Sequence, residues 1–193
     1  MDDKLIYDNR FFRSLLKGMS WTILKVGGWT LVGQLPPDKK FVAIAAPHTS
    51  NWDFPLFMGV VGVLNMRVSF LGKHTLFKGP LGWLFYYLGG IPVDRFSLSA
   101  SDIVDQVISI FNQKDRLILG VAPEGTRSGV KKWKTGFYRI AVGANVPIAF
   151  AFVDSSKKEI GFGPLFHPTG NMEADFLEIQ KFYQMKVGIN PQN

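Results

Sequence analysis

The chain has 193 residues, enough for one domain with a sizeable core and no need of a structural metal or disulfide. It contains no cysteine, which excludes disulfide frameworks, thiolate zinc sites and cysteine nucleophiles. Twenty-two Lys and Arg against fifteen Asp and Glu give a formal net charge of +7, and this sits beside 47% hydrophobic residues and seventeen Phe, a pairing that favours an anionic membrane surface over nucleic acid.

From Met1 to Arg10, two Asp and a Lys precede any apolar run and no small-residue cleavage site follows, so the start does not read as a signal peptide and a cytoplasmic location is the expectation. From Arg10 to Trp29, Phe12, Leu15, Leu16, Met19, Ile23 and Val26 recur at helical spacing, with Arg13, Lys17 and Lys25 on the opposite face. This is an amphipathic helix with a basic back. It suits packing on the domain and docking on a membrane equally, and both can hold for different faces. After the Pro36-Pro37-Asp38 turn, the short apolar run Phe41 to Ala46 is closed by Pro47 and reads as a buried strand. Similar runs occur at Val68 to Leu71, Leu117 to Val121 and Pro147 to Val153.

The longest charge-free stretch, Gly79 to Val93, is interrupted by Gly and Pro and falls short of the roughly 20 apolar residues a spanning helix needs. Asp102 to Asn112 carries a stripe of Val104, Val107, Ile108 and Phe111 behind a cap at Ser99 or Ser101. Asn171 caps a last helix running to about Lys186, with Gly188 beyond it. Strand and helix alternate without repeats or linkers. The expected architecture is a single α/β domain over residues 36–193, with a mixed, largely parallel central sheet flanked by helices, preceded by an amphipathic N-terminal helix within residues 1–35.

Three strand exits carry chemistry. Pro47-His48-Thr49-Ser50-Asn51-Trp52-Asp53 follows the first strand, so its side chains emerge at the carboxyl edge of the sheet, where α/β proteins commonly place ligands. Five positions on a regular helix would set His48 and Asp53 about 140° apart, so a contact requires that they straddle a loop and a helix start. Such a pair would fix the imidazole tautomer and stabilise an imidazolium, making His48 a base. The same residues fit a capping box in which Asp53 only satisfies a backbone amide. At Gly89 to Arg95 a short strand ends in an Arg suited to an anion, or in a simple Asp94-Arg95 surface pair. At Ile118 to Arg127, Gly125 permits close backbone approach, Arg127 offers a planar fork for phosphate and Glu124 is placed to orient it. The following Lys131, Lys132 and Lys134 read as a basic loop beside that anion site.

Taken together, these blocks resemble the glycerol-3-phosphate and lysophosphatidate acyltransferases. That family carries H-x-x-x-x-D, matched by His48 and Asp53; a glycine-rich strand ending in Arg, matched by Gly90 to Arg95; E-G-T-R, matched by Glu124, Gly125, Thr126 and Arg127; and a V-P-I strand, matched by Val146-Pro147-Ile148. Lesser matches are Lys73, Gly79-Pro80-Leu81-Gly82 and Lys134-Thr135-Gly136, and the likeness covers about Phe41 to Asp154. Four blocks in order with compatible gaps are far more specific than any one of them.

The resemblance implies transfer of a fatty acyl group from acyl-CoA or an acyl carrier protein thioester to a hydroxyl of a lysophospholipid or glycerol-phosphate acceptor. In that reading His48 is the base and Asp53 orients it. Arg95 and Arg127 clamp the acceptor phosphate, and Glu124, Gly125 and Thr126 shape its pocket. No metal and no cofactor beyond the thioester co-substrate is expected, and the enzyme is expected to lie peripherally on the inner face of the membrane. Competing readings are a phospholipid transacylase, a hydrolase, and a membrane-docked lipid-binding protein without turnover; no G-x-S-x-G elbow favours a serine hydrolase. Two departures bear on the acceptor. Thr75 stands where an acidic residue often follows the lysine, and one helix precedes the first block in a chain short for the family.

Overall fold

The computed structural model describes residues 5–94, 99–125 and 133–190. A single 3₁₀ turn, Ile6–Asp8, leads into α1 (Arg10–Val26), which Asn9 caps by accepting from the amides of Phe11 and Phe12. The order then runs β1 (Thr30–Val32), β2 (Lys40–Ala46), α2 (Asp53–Val63), β3 (Val68–Lys73), α3 (His74–Lys78), α4 (Gly82–Tyr87), β4 (Gly90–Val93), α5 (Ala100–Gln113) and β5 (Leu117–Val121). It closes with α6 (Gly136–Gly143), β6 (Ile148–Asp154), β7 (Glu159–Phe166) and α7 (Met172–Tyr183).

The seven strands form one sheet in the order β1-β7-β6-β2-β5-β3-β4. Every pairing is parallel except β6 with β7, so the sheet is mixed and largely parallel, as the alternation of strand and helix implies. The N-terminal segment adds a strand as well as a helix: Thr30–Val32 runs beside β7 at the far edge.

Successive residues of β2 face opposite sides. Val42, Ile44 and Ala46 join a core with α5, α6 and α7, whose Val107, Phe111, Phe137, Ile140, Ile179 and Tyr183 cover that face. Phe41 and Ala43 join a second core beneath α2, with Leu56, Val60, Val61 and Met66. Tyr183 fastens α7 by donating from its hydroxyl to the carbonyls of Ile44 and Ala151, each at 3.0 Å. Gly72 and Gly90 leave room for the Phe77 ring of α3 on the β3–β4 edge.

Against α2, α1 packs on a narrow line, Leu16, Ser20 and Leu24, and the approach is close because α2 offers Gly59 and Gly62 there. Ser20 donates to the carbonyl of Met58 at 3.1 Å. The apolar stripe seen in the sequence therefore does not pack inward. Phe12, Leu15, Met19, Ile23 and Val26 all stand exposed, and of the six only Leu16 contributes to the interface.

Candidate active site

In a parallel pairing all strands end on one edge, so the exits of β2, β5, β3 and β4 converge there. His48 lies two residues past β2, and Asp53 is the first residue of α2. The loop between them turns His48 Nδ1 to 2.9 Å from Asp53 Oδ2. The same oxygen accepts from the amides of Thr49 and Ser50, each at 2.8 Å, while Ser50 Oγ accepts from the Trp52 amide at 3.2 Å. Asp53 thus caps the turn and holds the ring together; the two readings of the spacing are compatible because one carboxylate oxygen serves both. With Nδ1 directed at Asp53, the Nε2 of His48 is the nitrogen left to take a proton. The imidazole is a quarter exposed and the carboxylate a tenth.

Glu124 is buried, and both of its oxygens accept from the His48 backbone amide, at 3.0 and 3.1 Å. It ties the exit of β5 to the exit of β2 through the backbone of His48. Burial pushes its carboxyl above the ordinary range and the nearby Asp53 carboxylate acts in the same sense, while the His48 amide and ring partly offset them. Gly125 has a φ of +66°, the left-handed region that favours glycine, and the end of the Lys134 side chain lies against it. The predicted Arg95, Thr126 and Arg127, with Lys131 and Lys132, lie outside the described residues.

Two features escaped the sequence. The first is a second His and Asp pair on the same edge, His74 Nδ1 at 3.3 Å from Asp94 Oδ1, joining the exits of β3 and β4. Its signal was present, since His74 directly follows the strand-ending Lys73, but the partner lies far along the chain, beyond two helices and a strand. The second is an apolar cavity of about 390 Å³ with His48 and Asp53 at its rim, running between α2 and the sheet. Phe54, Phe57 and Met58 of α2 form one wall, Ala45, Phe70 and Gly120 the opposite one, and Phe85 and Leu88 a side. No local pattern announces it, because its lining comes from elements scattered along the whole chain. Among the described residues no three His, Asp or Glu side chains are grouped as a metal ion would require.

A family model described as Acyltransferase matches residues 31–151. The chain is 30% identical over 125 residues to the 1-acyl-sn-glycerol-3-phosphate acyltransferase of Escherichia coli (strain K12), covering 62% of this chain and 49% of that protein. To the 1-acyl-sn-glycerol-3-phosphate acyltransferase beta of Homo sapiens it is 30% identical over 140 residues, covering 70% and 49%. The chain therefore spans about half the length of the curated relatives it matches. The crystal structure of the 1-acyl-sn-glycerophosphate (LPA) acyltransferase PlsC from Thermotoga maritima has the same fold, with a TM-score of 0.63 at 19% identity over 91% of this chain and 78% of that one. With the motif blocks, the fold and the family match in agreement, this chain belongs to the Acyltransferase family.

Proposed function

We propose that this chain moves a fatty acyl group from an acyl thioester to the free hydroxyl of a lysophosphatidate-like acceptor. The observation that carries the reading is the His48–Asp53 pair at the rim of an apolar cavity: a base and a place for an acyl chain meet at one point. A thioester is already activated, so the protein need only position the acceptor hydroxyl and take its proton. His48 Nε2 accepts that proton as the oxygen attacks the thioester carbonyl. Asp53 stabilises the imidazolium, which then protonates the departing thiolate. Glu124 holds the backbone that carries the ring.

In this reading Arg95 and Arg127, with Thr126 and Gly125, hold the acceptor phosphate, the chemistry for which planar bidentate guanidinium groups are suited. The donor is acyl-CoA or an acyl carrier protein thioester, and no further cofactor is used. The exposed stripe of α1, with Lys17 and Lys25 also exposed, docks the protein on an anionic membrane face, the cytoplasmic one in the expected location. Among the described residues no helix is long and apolar enough to cross a membrane.

The test is thioester consumption with and without lysophosphatidate, followed by product analysis. Acceptor-dependent consumption with a diacyl product supports the reading. Consumption that ignores the acceptor and releases free fatty acid indicates a hydrolase, and lipid binding without consumption indicates a non-catalytic protein.

A further inference from the structure

After α7 ends at Tyr183, the chain turns back onto the domain. Residues 184–190, outside the family-matched 31–151, pass the end of β6 on the carboxyl edge of the sheet and reach the loop between β2 and α2. Ser155, just past β6, fixes them twice: its amide donates to the Val187 carbonyl at 2.8 Å and its hydroxyl to the Gly188 carbonyl at 2.6 Å. Asp154, the last residue of β6, is fully buried behind them. Burial alone would raise its pKa, but the Ser156 hydroxyl, the Val187 amide and the Lys186 ammonium 3.7 Å away outweigh it and hold the carboxyl below the ordinary range. Lys186 also lies 3.9 Å over the Phe152 ring, and Ile189 packs on the core beneath α2. The segment is therefore a strap fastened at several points.

The strap meets the loop at Thr49. Thr49 Oγ1 accepts from the Asn190 amide at 3.1 Å, and Gly188 is buried so closely against the same side chain that a Cβ there would overlap its Oγ1 and Cγ2. The backbone of Thr49 faces the other way. Its amide donates at 2.8 Å to Asp53 Oδ2, the oxygen that lies 2.9 Å from His48 Nδ1. One residue thus joins the strap to the carboxylate, and it does not line the apolar cavity. Glu124 fixes the amide at which the loop begins, and the strap fixes the residue after it.

We propose that residues 184–190 brace the catalytic loop, with Thr49 the positioning residue through which they keep Asp53 and His48 in contact. The inference rests on the reading of His48 as the base. Such bracing matters because a displacement of about 1 Å can cost about 10²-fold in rate.

The experiment uses the full chain and the variants Thr49→Val, Thr49→Ser, Gly188→Ala, His48→Ala and the His48→Ala, Thr49→Val double variant. Turnover of an acyl-CoA thioester with lysophosphatidate gives kcat and both KM values, and hydrogen exchange follows the amides of Thr49 and Ser50, which both donate to Asp53. Thr49→Val keeps the shape of the side chain and loses the oxygen. It should lower kcat by about 10- to 100-fold at unchanged KM and speed exchange of the two amides. Gly188→Ala, which pushes the strap off Thr49, should do the same, and Thr49→Ser should restore the wild-type rate. If Gly188→Ala fails to fold, Thr49→Val decides. In the His48→Ala background Thr49→Val should cost nothing further, because it acts through the base. A folded Thr49→Val protein with wild-type kcat or wild-type exchange overturns the brace. So does a loss confined to KM, or a full further loss in the double variant, since Thr49 would then act on substrate and not on His48. A His48→Ala protein with the wild-type rate removes the base reading instead, and faster exchange in Thr49→Val still upholds the hold of the strap on the loop.

Discussion

Replacing Asp53 by asparagine separates the charge of this side chain from its shape. In the native protein one carboxylate oxygen lies 2.9 Å from His48 Nδ1 and also accepts two backbone amides, while the other, Oδ1, is buried with no hydrogen-bond partner among the described residues. The amide side chain can keep its oxygen toward the three donors, leaving its NH₂ in the unpartnered position. The turn and ring then stay in place, but the negative charge beneath the imidazolium is lost. At 2.9 Å and an effective dielectric of about 20, that charge is worth about 6 kcal/mol to a protonated ring. Because the ring is a quarter exposed and solvent screens part of that attraction, the expected loss is about 10²–10⁴-fold in rate, the range of a positioned general base. The unsatisfied NH₂ costs about 1–2 kcal/mol of stability. Release of the free thiol from an acyl thioester, with lysophosphatidate saturating, measures the rate; thermal unfolding measures the rest. An Asp53→Asn protein that is folded and within about tenfold of the wild-type rate, a deficit of only about 1.4 kcal/mol, would refute the role given to the carboxylate.

Three further outcomes follow from the packing. Gly62→Ala drives a Cβ into Ser20 at the α1–α2 contact and should cost about 1–3 kcal/mol, read as a lower thermal midpoint; an unchanged midpoint means that α1 does not sit there. Asp175, buried in the first turn of α7, accepts from the Tyr138 hydroxyl and from the Thr169 amide and hydroxyl; burial alone would raise its pKa, but these bonds outweigh it and hold the carboxyl below the ordinary range. A depressed folded pKa stabilises the protein above the unfolded value and loses that stabilisation as pH falls through the folded one. Asp175→Asn should therefore destabilise by about 1–3 kcal/mol at neutral pH and progressively less in acid, in urea titrations over a pH series; an equal deficit at all pH values counts against the network. Leu15→Glu with Met19→Glu, both on the exposed side of α1, should leave the fold intact and abolish sedimentation with anionic vesicles, and wild-type binding should weaken with salt. Equal binding by both proteins sinks the docking role.

What the sequence disclosed and what it hid divide along a physical line. The run Phe41 to Ala46, closed by Pro47, marks a buried parallel strand and hence the edge where His48 emerges, because both signals are local. So are the Ser99 cap with its Asp102 partner and the Asn171 cap, and both helices begin there. By contrast, β7 is broken by Gly161, Gly163 and Pro164 and has no clean alternation, and its antiparallel pairing with β6 depends on a tight return at 155–158. The three residues of β1 are too few to show a period. Periodicity revealed the stripe of α1 but not its direction, since a stripe is equally apolar facing a core or a bilayer; Gly59 and Gly62 on another helix decide which side packs. The cavity is the extreme case, because its walls come from residues far apart in the chain and none is unusual alone. Glu124 shows the same limit: its position was legible from E-G-T-R, but its grip on the His48 amide depends on β2 and β5 being neighbours.

The mechanism stands or falls on His48 acting as the base and not as a structural residue. Its ring is partly exposed, Asp53 keeps the two loop amides without it, and Glu124 holds its backbone and not its side chain. His48→Ala should therefore unfold at nearly the wild-type temperature and still bind acyl chains in the cavity. The decisive measurement is the rate of lysophosphatidate-dependent thioester consumption by that variant beside wild type. A loss of about 10²–10⁴-fold in a protein that remains folded is the predicted result. Transfer at a rate close to wild type would contradict the mechanism.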